Sequence, residues 1–298
     1  MLFRSCLANV EFRYALARQL SDEEPWYRRE KKLAISEGRG CSSIGLSCVR
    51  DRPTTIGQNM DTPAWYGGHQ ILFHHKGPDL PVEVFSFALA GKINLCGMNS
   101  HGLSICCNTL AQLNYSKDGL PEDFVVRGFL AQPDLEKGLD FLQRVKHASG
   151  QNYTIAEPGS RAINLEVSAG KISEFVPFDG ADRVYHTNHP LVNDDQSIFQ
   201  HIIKCADEPQ ALLPSFVGSS IPRFEEFQAR MSDPQEMLTL DDMKKILSSH
   251  QAPVCRHSND SPNKVITLGC LIMELTTPPA LHIAPGPPCK TPFKTYRF

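Results

Sequence analysis

The stretch Gly38-Arg39-Gly40-Cys41-Ser42-Ser43-Ile44-Gly45 divides the chain into two parts of different character. Before it, residues 9–35 are strongly charged and rich in helix-forming residues; after it, short apolar runs alternate with turns. Hydrolysis of the Gly40–Cys41 peptide bond would give Cys41 a free α-amine beside its thiol. One residue would then carry both a nucleophile and a base, the combination that covalent catalysis uses. Cys41 is therefore the first candidate for a catalytic residue.

The pattern after this boundary predicts an α+β protein with two antiparallel sheets. Cys41–Val49 and Thr54–Asn59 flank the polar turn at residues 50–53, which indicates a hairpin. The other predicted strands are Gln70–Lys76, Val82–Ile93, Leu103–Leu110, Ala162–Val167, Lys171–Val176, Lys264–Leu275 and Ala280–Ala284. Helices are predicted from Pro121, over Asp134–Lys146, and near Glu208–Leu213, Pro222–Met231 and Leu240–Ser248. Two sheets packed back to back with helices outside, a four-layer αββα sandwich, would bury every apolar face.

The composition excludes several classes of function. The 298 residues are 41% hydrophobic and 21% charged, which is typical of a globular chain. The net charge of −3 gives no electrostatic reason to expect a nucleic acid or an anionic membrane as partner. No apolar run approaches the ~20 residues that span a bilayer, and the first residues lack the apolar core of a secretory signal. We therefore expect a cytoplasmic protein and interpret the ten cysteines as reduced thiols.

Five short segments, taken in order, carry a resemblance to a known family. They are Cys41-Ser42-Ser43, Gly57-Gln58-Asn59-Met60-Asp61, the segment 99–108 that ends in Asn108, His186-Thr187-Asn188-His189-Pro190, and Ser219-Ser220-Ile221-Pro222-Arg223-Phe224. Together they resemble the N-terminal-nucleophile (Ntn) amide hydrolases of the penicillin acyltransferase, or isopenicillin-N acyltransferase, family, which are related to the choloylglycine hydrolases. The C-terminal stretch Thr267–Phe298 is similar to the acyltransferase branch. The resemblance runs from about Gly40 to the end of the chain, and it implies the Ntn-hydrolase fold.

The resemblance also implies roles for five residues. Cys41 corresponds to the nucleophile that autoproteolysis makes N-terminal, and Asp61 corresponds to the aspartate that orients the new α-amine. Asn188 corresponds to the asparagine that donates a hydrogen bond to the oxyanion. Asn108 and Arg223 correspond to two groups of the bile-salt branch, a second polar group near the oxyanion and a late arginine near the nucleophile.

Two features differ from the family pattern. Gln58 stands where the bile-salt enzymes have an arginine, which argues against that branch. Residues 1–40 would form a leader or small subunit that is shorter than is typical of the acyltransferases, and residues 41–298 would form the catalytic domain. We expect the two fragments to stay associated after cleavage at Gly40–Cys41.

Elementary chemistry agrees with these roles. A thiol has a pKa of about 8.5 and an α-amine one of about 7.7–8.0, so the amine of Cys41 can take the thiol proton near neutral pH. A carboxylate at Asp61 would favour the charged amine, and an amide N–H from Asn188 would be worth roughly 3–4 kcal/mol at the oxyanion. Glycine at position 40 suits attack by the Cys41 thiol because the lack of a Cβ leaves the Gly40 carbonyl accessible.

Each of these residues also has a purely structural interpretation. A cysteine at the start of a strand is usually a small buried apolar residue, Asp61 before Thr62-Pro63 could cap a turn, and Asn188 could form a turn before Pro190. Arg223 could instead pair with Glu225 or Glu226 on a solvated helix face.

The sequence predicts an enzyme that needs no metal or resident cofactor. No Cys-x-x-Cys pair occurs, and Cys255-Arg256-His257 is too closely spaced and too isolated to indicate a zinc site. The predicted activity is that of an autoproteolytic cysteine amidohydrolase or N-acyltransferase on a small acyl-amide, with acyl-CoA left open as an acyl donor. The alternatives are a bile-salt-type hydrolase and a degenerate member of the family that only binds its ligand.

Overall fold

A computed structural model describes residues 11–21, 23, 26, 40–178, 181–205, 218–233, 235–257 and 265–298. Its strands are β1 Gly40–Leu46, β2 Thr55–Pro63, β3 Gln70–His75, β4 Val84–Leu89, β5 Cys96–Asn99, β6 Ser104–Thr109, β7 Gln151–Ala156, β8 Ile163–Val167, β9 Ile172–Phe175, β10 Arg183–His186, β11 Val265–Glu274, β12 Ala280–Ala284 and β13 Lys294–Arg297. Its helices are α1 Phe12–Gln19, α2 Glu122–Leu130, α3 Leu135–Arg144, α4 Ser197–Lys204, α5 Ser220–Met231 and α6 Leu240–Leu247. None of these helices is long and apolar enough to cross a bilayer.

The strands form two antiparallel sheets. One has six strands in the order β10-β1-β2-β11-β12-β13, and the other has seven in the order β3-β4-β5-β6-β7-β8-β9. In the six-stranded sheet β1 lies between β10 and β2. β2 pairs with β1 over its whole length, from Gly40 to Leu46, whereas β10 pairs only with Ser43–Leu46. Pairing with β2 therefore fixes the backbone around Cys41 on one side, and the other side is left for groups that are not part of the sheet.

Three apolar clusters give the molecule its layers. The first fills the space between the sheets with side chains of both, among them Met60 of β2 and Phe87 of β4. The second packs α2 and α3 onto the seven-stranded sheet, and the third packs α5 and α6 onto the six-stranded sheet. The order of layers is therefore helix, sheet, sheet, helix, and the predicted αββα sandwich is confirmed.

The predicted elements agree with the structure where the apolar pattern is clear. The hairpin, the helices after Pro121 and Asp134, and the C-terminal pair β11–β12 all form close to the predicted bounds. The strand predicted for Val82–Ile93 ends at Leu89 because Gly91 makes a turn with φ +86°. The strands β5, β7, β10 and β13 and the helix α4 were not predicted; three of these strands have only four residues. The helix predicted near Glu208–Leu213 lies outside the described residues.

The described residues before Gly40 pack against the rest of the chain. Gln19, at the end of α1, donates to the carbonyl oxygen of Gly91 at 2.5 Å and accepts from the backbone of Ile93 at 2.8 Å. Trp26 is 1% exposed, and its indole N–H donates to the carbonyl oxygen of Leu113 at 3.0 Å. These contacts connect residues before the Gly40–Cys41 bond to the seven-stranded sheet and its loops.

Candidate active site

Pairing of β1 with β2 places the residues around the Gly40–Cys41 bond. Gly40 lies opposite Asp61, and Cys41 lies opposite Met60. Because neighbouring residues of a strand point to opposite faces, Cys41 points with Met60 into the layer between the sheets, where it packs against the first cluster. Asp61 points to the other face, beneath the helices. The bond is thus bordered by a thiol on one face and a carboxyl group on the other.

Three of the predicted residues bind the backbone of Cys41. The Cys41 N–H donates to Oδ1 of Asn188 at 2.8 Å. The Cys41 carbonyl oxygen accepts from Nη1 of Arg223 at 2.5 Å and from Nδ2 of Asn108 at 3.3 Å. Residues that are distant in the chain therefore converge on the backbone of one residue, Cys41.

The surroundings of Gly40 leave little space for a side chain. A Cβ added at this position would lie 3.2 Å from Nη2 of Arg223 and 3.5 Å from Oδ2 of Asp61. The first distance is tighter than most side chains accept, so a larger residue would displace the guanidinium. Glycine therefore lets Arg223 and Asp61 approach the backbone just before Cys41.

Asp61 is buried between cations. It is 1% exposed, accepts from Oγ1 of Thr267 at 2.7 Å, and forms an ion pair with Nε of Arg256 at 3.0 Å. Burial raises the pKa of Asp61 above its ordinary value, against the opposing effects of Arg256 and Arg223. The sequence reasoning missed Arg256, since its place between Cys255 and His257 has no spacing relation to Asp61.

Arg223 lies inside the protein rather than on a solvated helix face. It is 1% exposed at the start of α5 and also donates to Oγ of Ser42 and to Oδ1 of Asn188, both at 2.8 Å. Burial lowers the pKa of Arg223 to about 10, against the effect of Asp61, so the side chain remains a cation at neutral pH. The alternative of a surface ion pair is wrong, and Glu226 pairs instead with Arg230.

Asn188 belongs to the loop after β10. Its backbone N–H donates to Oγ of Ser220 at 2.6 Å, and its Nδ2 donates to the carbonyl oxygen of Thr109 at 3.1 Å. The side chain thus connects the loop to β6 while its Oδ1 binds Cys41 and Arg223. The amide group that the resemblance assigns to the oxyanion therefore lies beside Cys41.

A buried glutamate that the sequence reasoning did not single out positions the same loop. Glu166 of β8 accepts from Nε2 of His186 at 2.8 Å and from three successive backbone N–H groups, at residues 191–193, at 2.6–3.0 Å. Burial alone would raise the pKa of Glu166, but the bonds from His186 and from the backbone lower it below its ordinary value of 4.5. No motif in the sequence distinguishes this residue from other strand glutamates.

Gln58, the departure from the bile-salt pattern, connects the two sheets. Its side chain is buried, its Nε2 donates to the carbonyl oxygen of Cys107, and its Oε1 accepts from the backbone N–H of Cys107 at 3.3 Å. The amide of Gln58 carries no charge, so this position supplies no cation to the site. The cation that binds the Cys41 backbone is that of Arg223.

A small pocket opens beside Cys41. It is lined by Gly40, Cys41, Met60, Asp61, Thr62, Leu89, Leu95, Cys107, Thr109, Glu122 and Asn188. Apolar side chains from both sheets and the amide of Asn188 thus border the thiol together. Within the described residues, the single group of side chains suited to a metal ion lies outside this pocket.

Two stacked sheets with helices on both outer faces, and a cysteine at the start of a central strand, define an Ntn hydrolase by fold class. The chain belongs to the family described as acyl-coenzyme A:6-aminopenicillanic acid acyl-transferase, whose sequence model matches residues 49–285. The match begins after Cys41 and includes the segments that carry Asp61, Asn108, Asn188 and Arg223. The predicted family resemblance is confirmed.

Solved structures with this fold are distant in sequence. The chain is 14% identical to the Caenorhabditis elegans ortholog of N-acylethanolamine-hydrolyzing acid amidase, with a TM-score of 0.52, over 87% of this chain and 100% of that one. It is 15% identical to a mutant conjugated bile acid hydrolase from Clostridium perfringens, with a TM-score of 0.51, over 86% and 97% of the two chains. At such identities the likeness shows the fold alone. Comparison with curated protein sequences finds no match.

Proposed function

We propose that the protein is an autoproteolytic cysteine amidohydrolase or N-acyltransferase in which Cys41 is the nucleophile. One observation carries the proposal: Asn188, Arg223 and Asn108 all hydrogen-bond the backbone of Cys41. Three polar side chains beside one strand end are costly to bury for structural reasons alone. Their convergence on one cysteine backbone supports a catalytic role.

The proposed processing step uses only groups of this chain and water. The Cys41 thiol attacks the Gly40 carbonyl carbon, the C–N bond breaks, and the thiol proton passes to the leaving amine. The resulting thioester is hydrolysed by water, which leaves a carboxylate on Gly40 and a free thiol and α-amine on Cys41. Glycine at position 40 supports this step because its backbone is accessible between Asp61 and Arg223.

After processing, the new α-amine takes the role of the base. It accepts the thiol proton as Cys41 attacks the substrate carbonyl, and it returns the proton to the leaving amine. Asp61, across the strand pair, stabilises the charged amine, and Asn188 holds the amine through Oδ1. The Nδ2 groups of Asn188 and Asn108 are the proposed donors to the oxyanion.

The lining of the pocket favours a substrate whose acyl group is apolar and lies next to the Cys41 thiol. Met60, Leu89 and Leu95 border Cys41 there, and apolar walls of this kind favour a hydrocarbon chain over a charged one. The acyl group would form a thioester with Cys41, and water or a small amine would then accept it. An acyl-CoA donor would transfer its acyl group to the Cys41 thiol and release the CoA thiol, which gives the same thioester.

Intact-mass measurement of the purified chain tests the mechanism directly. We expect two fragments that separate between Gly40 and Cys41, and a single full-length chain for Cys41→Ala. Cys48→Ala is the matched control, since Cys48 is an exposed cysteine nearby and its loss should leave cleavage intact. A full-length, uncleaved chain that turns over substrate would contradict the N-terminal-nucleophile mechanism.

A panel of acyl amides, assayed with a small amine as acceptor and with or without an acyl-CoA donor, separates the remaining possibilities. Product formation in water alone indicates a hydrolase, and formation of a new amide only with the donor indicates an acyltransferase. A cleaved protein that binds the amides without turning them over would support the degenerate binding protein.

A further inference from the structure

Four side chains of the types that bind zinc meet beside the candidate active site. They are His250, Cys255, His257 and Cys289, and their ligand atoms all lie within 4.8 Å of one another. Three of them follow α6, and the fourth comes from the turn after β12. Cys255 is buried, and His250 and Cys289 reach the surface, so an ion could enter from solvent.

The distances among these atoms approach those of a tetrahedral zinc site. With Zn–S of ~2.3 Å and Zn–N of ~2.0–2.1 Å, tetrahedral geometry separates two sulfurs by about 3.8 Å, two nitrogens by about 3.3 Å, and a sulfur and a nitrogen by about 3.6 Å. The observed separations are 3.5 Å for the two Sγ atoms, 3.0 Å for Nε2 of His250 and His257, and 3.1 Å between Sγ of Cys289 and Nε2 of His257. The other three pairs of ligand atoms lie within 4.8 Å, so small shifts of the four side chains would place an ion at the centre.

We propose that these four side chains bind one structural Zn²⁺ ion in a closed Cys₂His₂ site. Two thiolates and two imidazoles are the soft and borderline ligands that zinc prefers, whereas Mg²⁺ and Ca²⁺ require oxygen. The site contributes four protein ligands, so it has no open position for substrate.

The sequence alone indicated the opposite. Cys255 and His257 have only one residue between them, and the four ligands contain no Cys-x2–4-Cys or His-x3–5-His pair. The fold supplies them, because the turn after β12 brings Cys289 to the loop after α6. The isolation expected for Cys255-Arg256-His257 is therefore not observed.

The ion would fix a segment that reaches the active site. Arg256 lies between two of the ligands, and its side chain pairs with Asp61 at 3.0 Å. Its backbone N–H donates to Oγ1 of Thr267 at 2.9 Å, and Thr267 also donates to Asp61. Arg256 is thus a positioning residue for Asp61, and zinc would hold the loop that presents it.

Metal analysis of the full-length protein, purified under reducing conditions with ZnCl₂ present and then freed of loose metal, tests the proposal. We expect about one zinc ion per chain, and a loss of more than about tenfold in zinc affinity for Cys289→Ser and for His250→Ala. Cobalt should replace zinc and give the visible absorption of a tetrahedral thiolate site, which both variants lose.

The exposed pair Cys205 and His201 provides the matched control. His201 lies in α4 and Cys205 directly follows this helix; Sγ of Cys205 and Nε2 of His201 are 3.7 Å apart. Cys205→Ser removes a cysteine that also contacts a histidine but lies outside the proposed site. The Cys205→Ser protein should therefore keep its zinc. Three results would overturn the proposal. They are wild-type protein without zinc, full zinc content in both ligand variants, and a Cys255–Cys289 disulfide found by mass spectrometry under the same reducing conditions.

Hydrogen exchange gives a second readout that does not depend on how well a variant folds. The backbone N–H of Arg256 donates to Oγ1 of Thr267, and the backbone N–H of Thr267 donates to the carbonyl oxygen of Arg256. In wild-type protein, removal of zinc by a chelator should speed hydrogen exchange at these two amides. Return of zinc should restore protection. Unchanged exchange at both amides would contradict the role of the ion in holding this loop.

Discussion

At the scale of single residues, the candidate site is arranged around a backbone rather than around a side chain. Asn188, Asn108 and Arg223 bind the N–H and carbonyl groups of Cys41, and their positions therefore do not depend on the rotamer of the thiol. The cation at Arg223 and the carboxyl group of Asp61 are both buried, and each lies in the field of the other, so the loss of either one is costly.

Asn188 is expected to act through its N–H donor. Asn188→Ala should lower turnover by about 10²–10³, because it removes one oxyanion donor. It should also lower the free energy of unfolding by about 1–3 kcal/mol, because Arg223 and the Thr109 carbonyl lose a partner. Measured kcat of processed protein, with circular dichroism as the check on folding, gives the result.

Asn188→Asp is the informative companion variant. It keeps an oxygen that can accept from Cys41 and Arg223 but replaces the N–H donor, so turnover should fall as in Asn188→Ala. Near-normal turnover in Asn188→Asp would assign to Asn188 the role of an acceptor that holds the backbone and would remove it from the oxyanion.

At the scale of elements, two connections set the site. The β1–β2 pairing fixes Asp61 opposite Gly40, and the loop after β10 brings Asn188 to Cys41. The pairing is local and continuous, whereas the loop depends on Glu166 from another sheet, which accepts three of its backbone N–H groups.

Glu166→Gln should destabilise the protein in a pH-dependent way. The pKa of Glu166 is lowered in the folded state, so this carboxylate stabilises the protein above its unfolded pKa of about 4.5 and loses that contribution as the pH falls through the folded value. We expect Glu166→Gln to lower the free energy of unfolding by about 1–3 kcal/mol at neutral pH. The difference from wild type should shrink below pH 4.5.

Urea unfolding of both proteins from about pH 7 down to about pH 4 measures this difference. Glu174→Gln is the control, because Glu174 pairs with Arg161 at the surface and should change stability by less than about 1 kcal/mol. A difference between Glu166→Gln and wild type that stays constant over the whole pH range would show that the loop does not depend on this charge.

At the scale of the whole molecule, the described residues before Gly40 pack against the rest of the chain. Glu23 accepts from the first backbone N–H of α2, at Glu122, at 2.9 Å, and from Oγ of Ser149 at 3.1 Å. Together with the burial of Trp26, these contacts support the expectation that a cleaved leader remains bound as a small subunit.

Trp26→Ala should weaken this association. Removal of a fully buried indole costs about 3–5 kcal/mol in comparable cores, and it also leaves the carbonyl oxygen of Leu113 without its indole donor. After processing, we expect the leader fragment to elute with the body in wild-type protein and to separate from it in Trp26→Ala during size-exclusion chromatography.

Tyr14→Ala is the matched aromatic control, since Tyr14 is 57% exposed on α1. It should leave the two fragments together. Retention of the leader in Trp26→Ala, with an unchanged melting temperature, would show that other leader residues carry the association.

The hairpin, the helices after Pro121 and Asp134 and the β11–β12 pair could be predicted because their apolar residues recur with clear periods. The four-residue strands β5, β10 and β13 could not, since so short a run has no period and forms only where a neighbouring strand offers hydrogen bonds. The five candidate site residues could be named because they lie in short ordered motifs. Arg256 and Glu166 could not, because their partners are distant in the chain.

The sequence by itself determined the layered αββα architecture, the family, and the candidate nucleophile at the Gly40–Cys41 bond, because strand and helix periods and local motifs are properties of neighbouring residues. Only the tertiary structure decided that Arg223 is buried against Cys41, that Arg256 pairs with Asp61, and that Cys289 joins the histidines and cysteine after α6. Each of these is a contact between segments that are far apart in the chain. Such segments meet only when the sheets and helices pack, so no local pattern in the sequence predicts the contact.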